Sequence, residues 1–176
     1  MFHPTAALRS VVLPFALPLA LTALLAALPA VAGAQGIVRH KLPDSDFPIA
    51  QAVTLPAGTA ITFVSGQVPP VVDKTADPNS LKAFGDTKTQ TVGSLTRIQD
   101  ILKGMGMSMG DVVKMQVFLV GDPGRNGKAD VAGFMQGYTQ FFGGTQPNLP
   151  ARAVFQVAGL SNPGWLVEIE VVAAKK

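Results

Sequence analysis

Beyond residue 47 the spacing of apolar positions changes several times, and each change predicts an element. QAVTLPAGTAITFVSG holds two short apolar runs, Ala52 to Leu55 and Ala60 to Val64, split by Pro56-Ala57-Gly58, a spacing that reads as a β-hairpin. Residues 67–86 are rich in Pro, Asp and Asn and predict a surface loop. From Thr87 the period lengthens. Val92, Leu95, Ile98 and Leu102 recur at helical intervals and Lys103-Gly104 supplies a basic last turn with a stop glycine, so an amphipathic helix is expected. Asp111 to Val120, bounded by Gly110 and Gly121, predicts a mostly buried strand. After the turn-rich GDPGRNGKAD, Val131, Phe134, Tyr138, Phe141 and Phe142 mark a second amphipathic helix, ended by Gly143-Gly144. Two strands close the chain, Ala153 to Val157 and Trp165 to Ala173, joined by GLSNPG.

The predicted order is β-β-α-β-α-β-β, an α+β domain with a mixed sheet and both helices on one face. A sheet covered on one side has a second face to hide. Several strands are apolar at both parities, Val112 with Val113 and Val117 with Phe118 among them, so homo-oligomerisation through the uncovered face is the economical expectation. Residues 35–50 are polar and punctuated by proline, and read as an arm or irregular first segment.

The start of the chain follows a different pattern. One charge, Arg9, precedes the uncharged run VVLPFALPLALTALLAALPAV and the small-x-small site Ala32-Gly33-Ala34. Residues 1–34 are therefore expected to be a cleaved export signal, which makes the protein periplasmic or secreted and leaves one domain, 35–176, with no membrane association after cleavage. The rival reading is a retained anchor, because Val11 to Val31 is long enough to span a bilayer. The whole chain carries 14 basic and 11 acidic residues, and loss of Arg9 leaves 13 basic ones scattered without a stripe, which does not suggest nucleic acid.

Composition narrows the chemistry further. With no cysteine there is no disulfide, thiol nucleophile or cysteine metal site. Of two histidines, His3 lies in the signal and His40 near the mature N-terminus, where a surface role is the simpler account. Met105, Met107 and Met109 are read as loop and gap-filling residues rather than as soft-metal ligands. An enzyme built from this chain would work with arginine, carboxylate, backbone groups and water.

Three stretches can supply those groups. In NLPARAVFQVAGL, Pro150 fixes the approach and Arg152 stands where a strand begins; its planar donors suit a bidentate carboxylate or phosphate, unless its stem lies along the sheet with its head in water. In FVSGQVP a strand runs out into Ser65-Gly66-Gln67, where the glycine either lets backbone amides approach a ligand or merely turns the chain. In WLVEIEVVAA, Val167, Ile169 and Val171 face one way and Glu168 and Glu170 the other, toward solvent or into a cleft between subunits, where a carboxylate can orient a water.

Taken in order, FVSGQVP, DVVKMQVFLV, Tyr138 before Phe141-Phe142, LPARAVFQVAGL and VEIEVVAA resemble the Rid family, the YjgF-like reactive intermediate deaminases, across nearly all of residues 47–174. The resemblance implies a chorismate-mutase-like subunit, a homotrimer and ligand clefts between subunits. It also implies hydrolysis of enamines and imines of the 2-aminoacrylate type to 2-keto acids and ammonia without metal or organic cofactor. Arg152 would clamp the substrate carboxylate, Glu168 would position the attacking water, and groups at Ser65, Gly66 and Gln67 would meet the nitrogen end. Three positions depart from the family pattern: Ile49 replaces a tyrosine, Met135 an asparagine and Val154 a cysteine, so these substrate-facing positions should make the cleft more apolar. The alternative is a trimer that binds small carboxylates, or holds other proteins, without catalysis.

Overall fold

The computed structural model describes residues 36–144 and 146–175, so the expected export segment at 1–34 lies outside the described residues. Six strands form one mixed sheet: β1 (Val38–Lys41), β2 (Ala50–Thr54), β3 (Ala60–Gln67), β4 (Val112–Val120), β5 (Ala151–Val157) and β6 (Val167–Lys175). Their order across the sheet is β1-β2-β5-β4-β6-β3. The β5–β4 and β2–β5 pairs are parallel, whereas β1–β2, β4–β6 and β6–β3 are antiparallel. Three α-helices accompany the sheet among the described residues, the short α1 (Leu81–Phe84), α2 (Thr87–Gly104) and α3 (Val131–Tyr138), with single 3₁₀ turns at Met109–Asp111 and Pro123–Arg125.

One face of the sheet and the inner faces of α2 and α3 make the core. Met115, Val117, Leu119, Val167, Ile169 and Val171 from the two central strands pack with Leu95, Ile98 and Leu102 of α2 and with Phe134 and Tyr138 of α3. The alternation expected of β6 holds, since Val167, Ile169 and Val171 are buried while Glu168 and Glu170 remain half-exposed. On the other face Phe118 and Phe155 stack, with centroids 6.0 Å apart. Phe63 there is 79% exposed and Phe155 46%.

Four expectations are corrected. The arm at 35–50 contains a strand, β1, whose Arg39 reaches the carbonyls of Val112, Leu149 and Gly110, each at 2.8 Å. A pattern search misses it because it is short and polar, and its order comes from one long-range side chain. The expected hairpin between β2 and β3 does not form: β2 pairs with β1 and β5, and β3 with β6. Nonlocal apolar matching, such as Val64 opposite Val171, outweighs the short connection. Helix α2 runs through Gly104, and the stop falls at Gly106, whose φ of 69° is left-handed. Helix α3 ends at Tyr138, not at Phe142. Phe142 is still fully buried, delivered by the turn that follows, so the apolar spacing marked burial rather than helix.

The loop at 67–86 also has internal order. The amides of Val72 and Asp73 both donate to the Ala83 carbonyl, and Ala83 and Phe84 are buried. Gln90, buried in the first turns of α2, bonds this region to the sheet: its amide donates to Gly85 and Gly164 carbonyls while its oxygen accepts from Leu166 N–H.

Candidate functional site

Arg152 is the second residue of β5, opposite Met115 of β4, and its side chain crosses the helix-covered face to α3. Three rings surround the guanidinium: Tyr138 at 4.2 Å, Phe134 at 5.1 Å and Phe47 at 5.4 Å from Cζ to ring centroid. Nη2 donates to the Met135 sulfur at 3.4 Å. Nη1 is buried and has no hydrogen-bond partner among the described residues, nor does Arg152 form an ion pair among them.

This environment is unusual for a cation. Aromatic faces attract positive charge but leave planar N–H donors without acceptors, and a thioether is a weak acceptor. Burial pushes the guanidinium below its usual pKa, opposed by Tyr138, yet arginine starts so high that it stays charged. The result is a charged guanidinium held among rings, with one buried donor, Nη1, unpaired and the other, Nη2, on a weak acceptor; its planar fork is of the kind that suits a carboxylate. Position 152 therefore carries more than a solvated strand-edge arginine.

Tyr138 organises the cage. Its hydroxyl donates to the Pro48 carbonyl at 2.7 Å, and burial raises its pKa to about 12, so it remains a neutral donor. That bond ties the segment Phe47-Pro48-Ile49 beside Arg152. Sequence reasoning placed Phe134 and Tyr138 in the core and gave Phe47 no role. Their signal was the pair four residues apart on α3, one helical turn, a spacing shared by any buried face.

The second group of predicted residues lies elsewhere. Glu168 on β6 is in register with Phe118, whereas Arg152 shares a row with Met115 and Val171, so the two point to opposite faces of the sheet. The Glu168 carboxylate lies directly against Gly66, so that a side chain at position 66 would make Glu168 move. Gln67 folds back along its own strand and donates to the Ser65 carbonyl at 3.0 Å. Ser65 lines a depression of about 420 Å³ with Phe63, Lys114, Gln116 and Glu170. Thus Arg152 and Met135 form one group, with Ile49 near Arg152, and Ser65, Gly66 and Glu168 another. Val154 packs at the margin of the core.

Residues 43–175 match the protein family described as endoribonuclease L-PSP. The chain belongs to this family, known also as YjgF/Rid. Among YjgF/Rid relatives, TdcF of Escherichia coli is 31% identical over 139 residues, covering 79% of this chain and 95% of TdcF. The goat 2-iminobutanoate/2-iminopropanoate deaminase is 33% identical over 136 residues, covering 77% of this chain and 85% of its own. The crystal structure of E. coli TdcF with bound serine superposes with a TM-score of 0.52 at 30% identity, covering 81% of this chain and 99% of TdcF. The mixed α+β architecture expected from the sequence is thus that of YjgF/Rid structures.

Proposed function

We propose that this YjgF/Rid protein hydrolyses reactive 2-imino acids or their enamine tautomers to 2-keto acids and ammonia, acting as an exported homotrimer. The observation that carries the reading is the Arg152 guanidinium, fixed by three rings and left with unfilled donors. Relatives at about 30% identity named as deaminases of 2-iminobutanoate and 2-iminopropanoate support the same reaction class. Their substrates carry the planar carboxylate that such a fork recognises.

In this reading the carboxylate binds Arg152 and the C=N group extends toward the Glu168 half-site of a neighbouring copy. Water adds to the imine carbon while Glu168 holds it and takes its proton, which Glu168 passes to the nitrogen to give the neutral carbinolamine; on collapse the hydroxyl proton moves to the same nitrogen, the C–N bond breaks, the carbonyl forms and ammonia leaves. The opposite faces of Arg152 and Glu168 within one chain fit a cleft that two subunits complete. The endoribonuclease description of the family finds less support, since a single caged cation suits one small anion better than a polyphosphate backbone.

The test is to generate 2-iminopropanoate from alanine with an amino-acid oxidase and follow its loss. The purified protein should accelerate that loss. Arg152→Ala should lower kcat/KM by roughly 100-fold, the equivalent of about 3 kcal/mol for two charge-assisted hydrogen bonds. Equal rates for wild type and variant would sink the assignment, and absence of any acceleration together with carboxylate binding measured by calorimetry would leave binding without turnover as the function.

A further inference from the structure

One donor of Arg152 is shut away from solvent. Its Nη1 is buried with no hydrogen-bond partner among the described residues, and Nη2 rests on the Met135 sulfur. A carboxylate can reach Nη1 only after one wall of the cage moves. The three rings differ in how firmly they are held. Phe134 and Tyr138 are fully buried on α3 and belong to the core, where Tyr138 stacks on Phe142 with centroids 4.9 Å apart. Phe47 is 47% exposed and lies in no helix or strand. Of the three it is the ring with room to leave.

The chain around Phe47 is built as a short flap with fixed ends. Between Leu42 and Phe47 the hydrogen bonds among the described residues are local: Phe47 N–H donates to Ser45 Oγ at 3.2 Å, and the Phe47 carbonyl accepts from Ile49 N–H at 2.7 Å. On one side Lys41 pairs with Ala50 in the sheet, and on the other the Pro48 carbonyl accepts the Tyr138 hydroxyl at 2.7 Å. With few bonds inside and a pin at each end, motion is confined to residues 42–47. The ring is held down by the guanidinium itself, whose Cζ is 5.4 Å from its centroid, a weak contact where the ring is half in water.

The geometry points to Phe47 as a gate over Arg152: its ring shields the guanidinium in the closed conformation and swings outward, pivoting at Pro48, to admit a carboxylate. This deepens the imine-hydrolysis reading and rests on it for what the carboxylate belongs to; the gate itself rests on the occluded donor and the loosely held ring. An entering carboxylate exchanges one cation–ring contact for charge-assisted hydrogen bonds, so opening is driven by the ligand. The closed population lowers the apparent affinity by the fraction of time the gate is open, and shortening the side chain at position 47 removes that penalty.

Two measurements on the purified protein test this. The first is modification by phenylglyoxal, a dicarbonyl that condenses with the terminal nitrogens of a guanidinium, with peptide mapping by mass spectrometry to separate Arg152 from the exposed Arg97. Arg152 should react more slowly than Arg97 in the wild-type protein. Phe47→Ala should speed Arg152 alone by about 2- to 5-fold, the size of one exposed cation–ring contact. Phe47→Leu, which keeps part of the apolar bulk, should fall between, and Trp165 emission checks the fold of both variants. The second is calorimetry with pyruvate, whose affinity should rise along the same series by a similar factor. An Arg152 rate equal to that of Arg97 in the wild type, or one unmoved by either substitution, overturns the gate while leaving Arg152-dependent hydrolysis standing. A pyruvate affinity that falls in Phe47→Ala also overturns it, since the ring would then hold the ligand rather than exclude it. Faster modification of Arg152 in a protein without turnover supports the gate and defeats the hydrolysis reading, so the two failures are separable.

Discussion

At the scale of single residues, the site is a competition between what a guanidinium needs and what its neighbours offer. Tyr138 supplies a ring face to Arg152 and spends its hydroxyl on Pro48, so it restrains the cation without neutralising it. Tyr138 is the sole tyrosine of the chain, so tyrosinate absorbance reports this group alone. Its ionisation is expected at about 12 rather than near the ordinary value of about 10. The folded state holds the proton more tightly than the unfolded chain. Its contribution to stability is therefore complete below pH about 10 and is lost as pH rises from there through about 12. An alkaline titration monitored by absorbance and unfolding together checks both statements, and Tyr138→Phe should remove the absorbance step. The same substitution frees Pro48, so it should weaken keto-acid binding without changing the charge of Arg152. Arg152 itself was legible in the sequence as a strand-entry arginine, because proline and alternation are local signals. Its cage was not, since Phe47 lies more than 100 residues away along the chain and nothing local marks the encounter.

At the scale of elements, strands and helices were readable wherever one face is buried over several turns or pleats. Helix α2 and strands β4 and β6 meet that condition; β1 and the β2–β3 partnership do not, because long-range contacts decide them. Polar burial was the other invisible feature. Thr87, Gln90, Thr91 and Ser94 are all buried on α2, although a hydrophobic-period reading assigns them to solvent. Gln90 joins α2 to the segment leading into β6, and so holds the strand that carries Glu168. Gln90→Ala leaves the Leu166 N–H and the Gly164 carbonyl unsatisfied in the interior and is expected to cost about 3 kcal/mol. Thr96→Ala, which removes an exposed bond to the Val92 carbonyl on the same helix, should change stability by less than about 0.5 kcal/mol. Urea unfolding followed by the fluorescence of Trp165, the single tryptophan, measures both.

At the scale of the whole molecule, Arg152 and Glu168 lie on opposite faces of one sheet, and the face bearing Glu168 is covered by no helix among the described residues. That face presents Ile61 and Phe63 of β3, 50% and 79% exposed, beside the stacked Phe118 and Phe155. Aromatic surface of this kind costs free energy in water and is characteristic of surfaces that pair with another copy. If the cleft is completed between subunits, assembly and turnover are one property. Light scattering should then give the mass of a trimer, and Phe63→Glu should lower it to that of a monomer. Phe63 contributes nothing to the core, so the variant chain should keep its fold and its Trp165 emission. Turnover should fall with the trimer fraction and recover at high protein concentration. Full activity in a monomeric Phe63→Glu variant would place Arg152 and its water-activating partner within one chain, and would require a group other than Glu168 in that role.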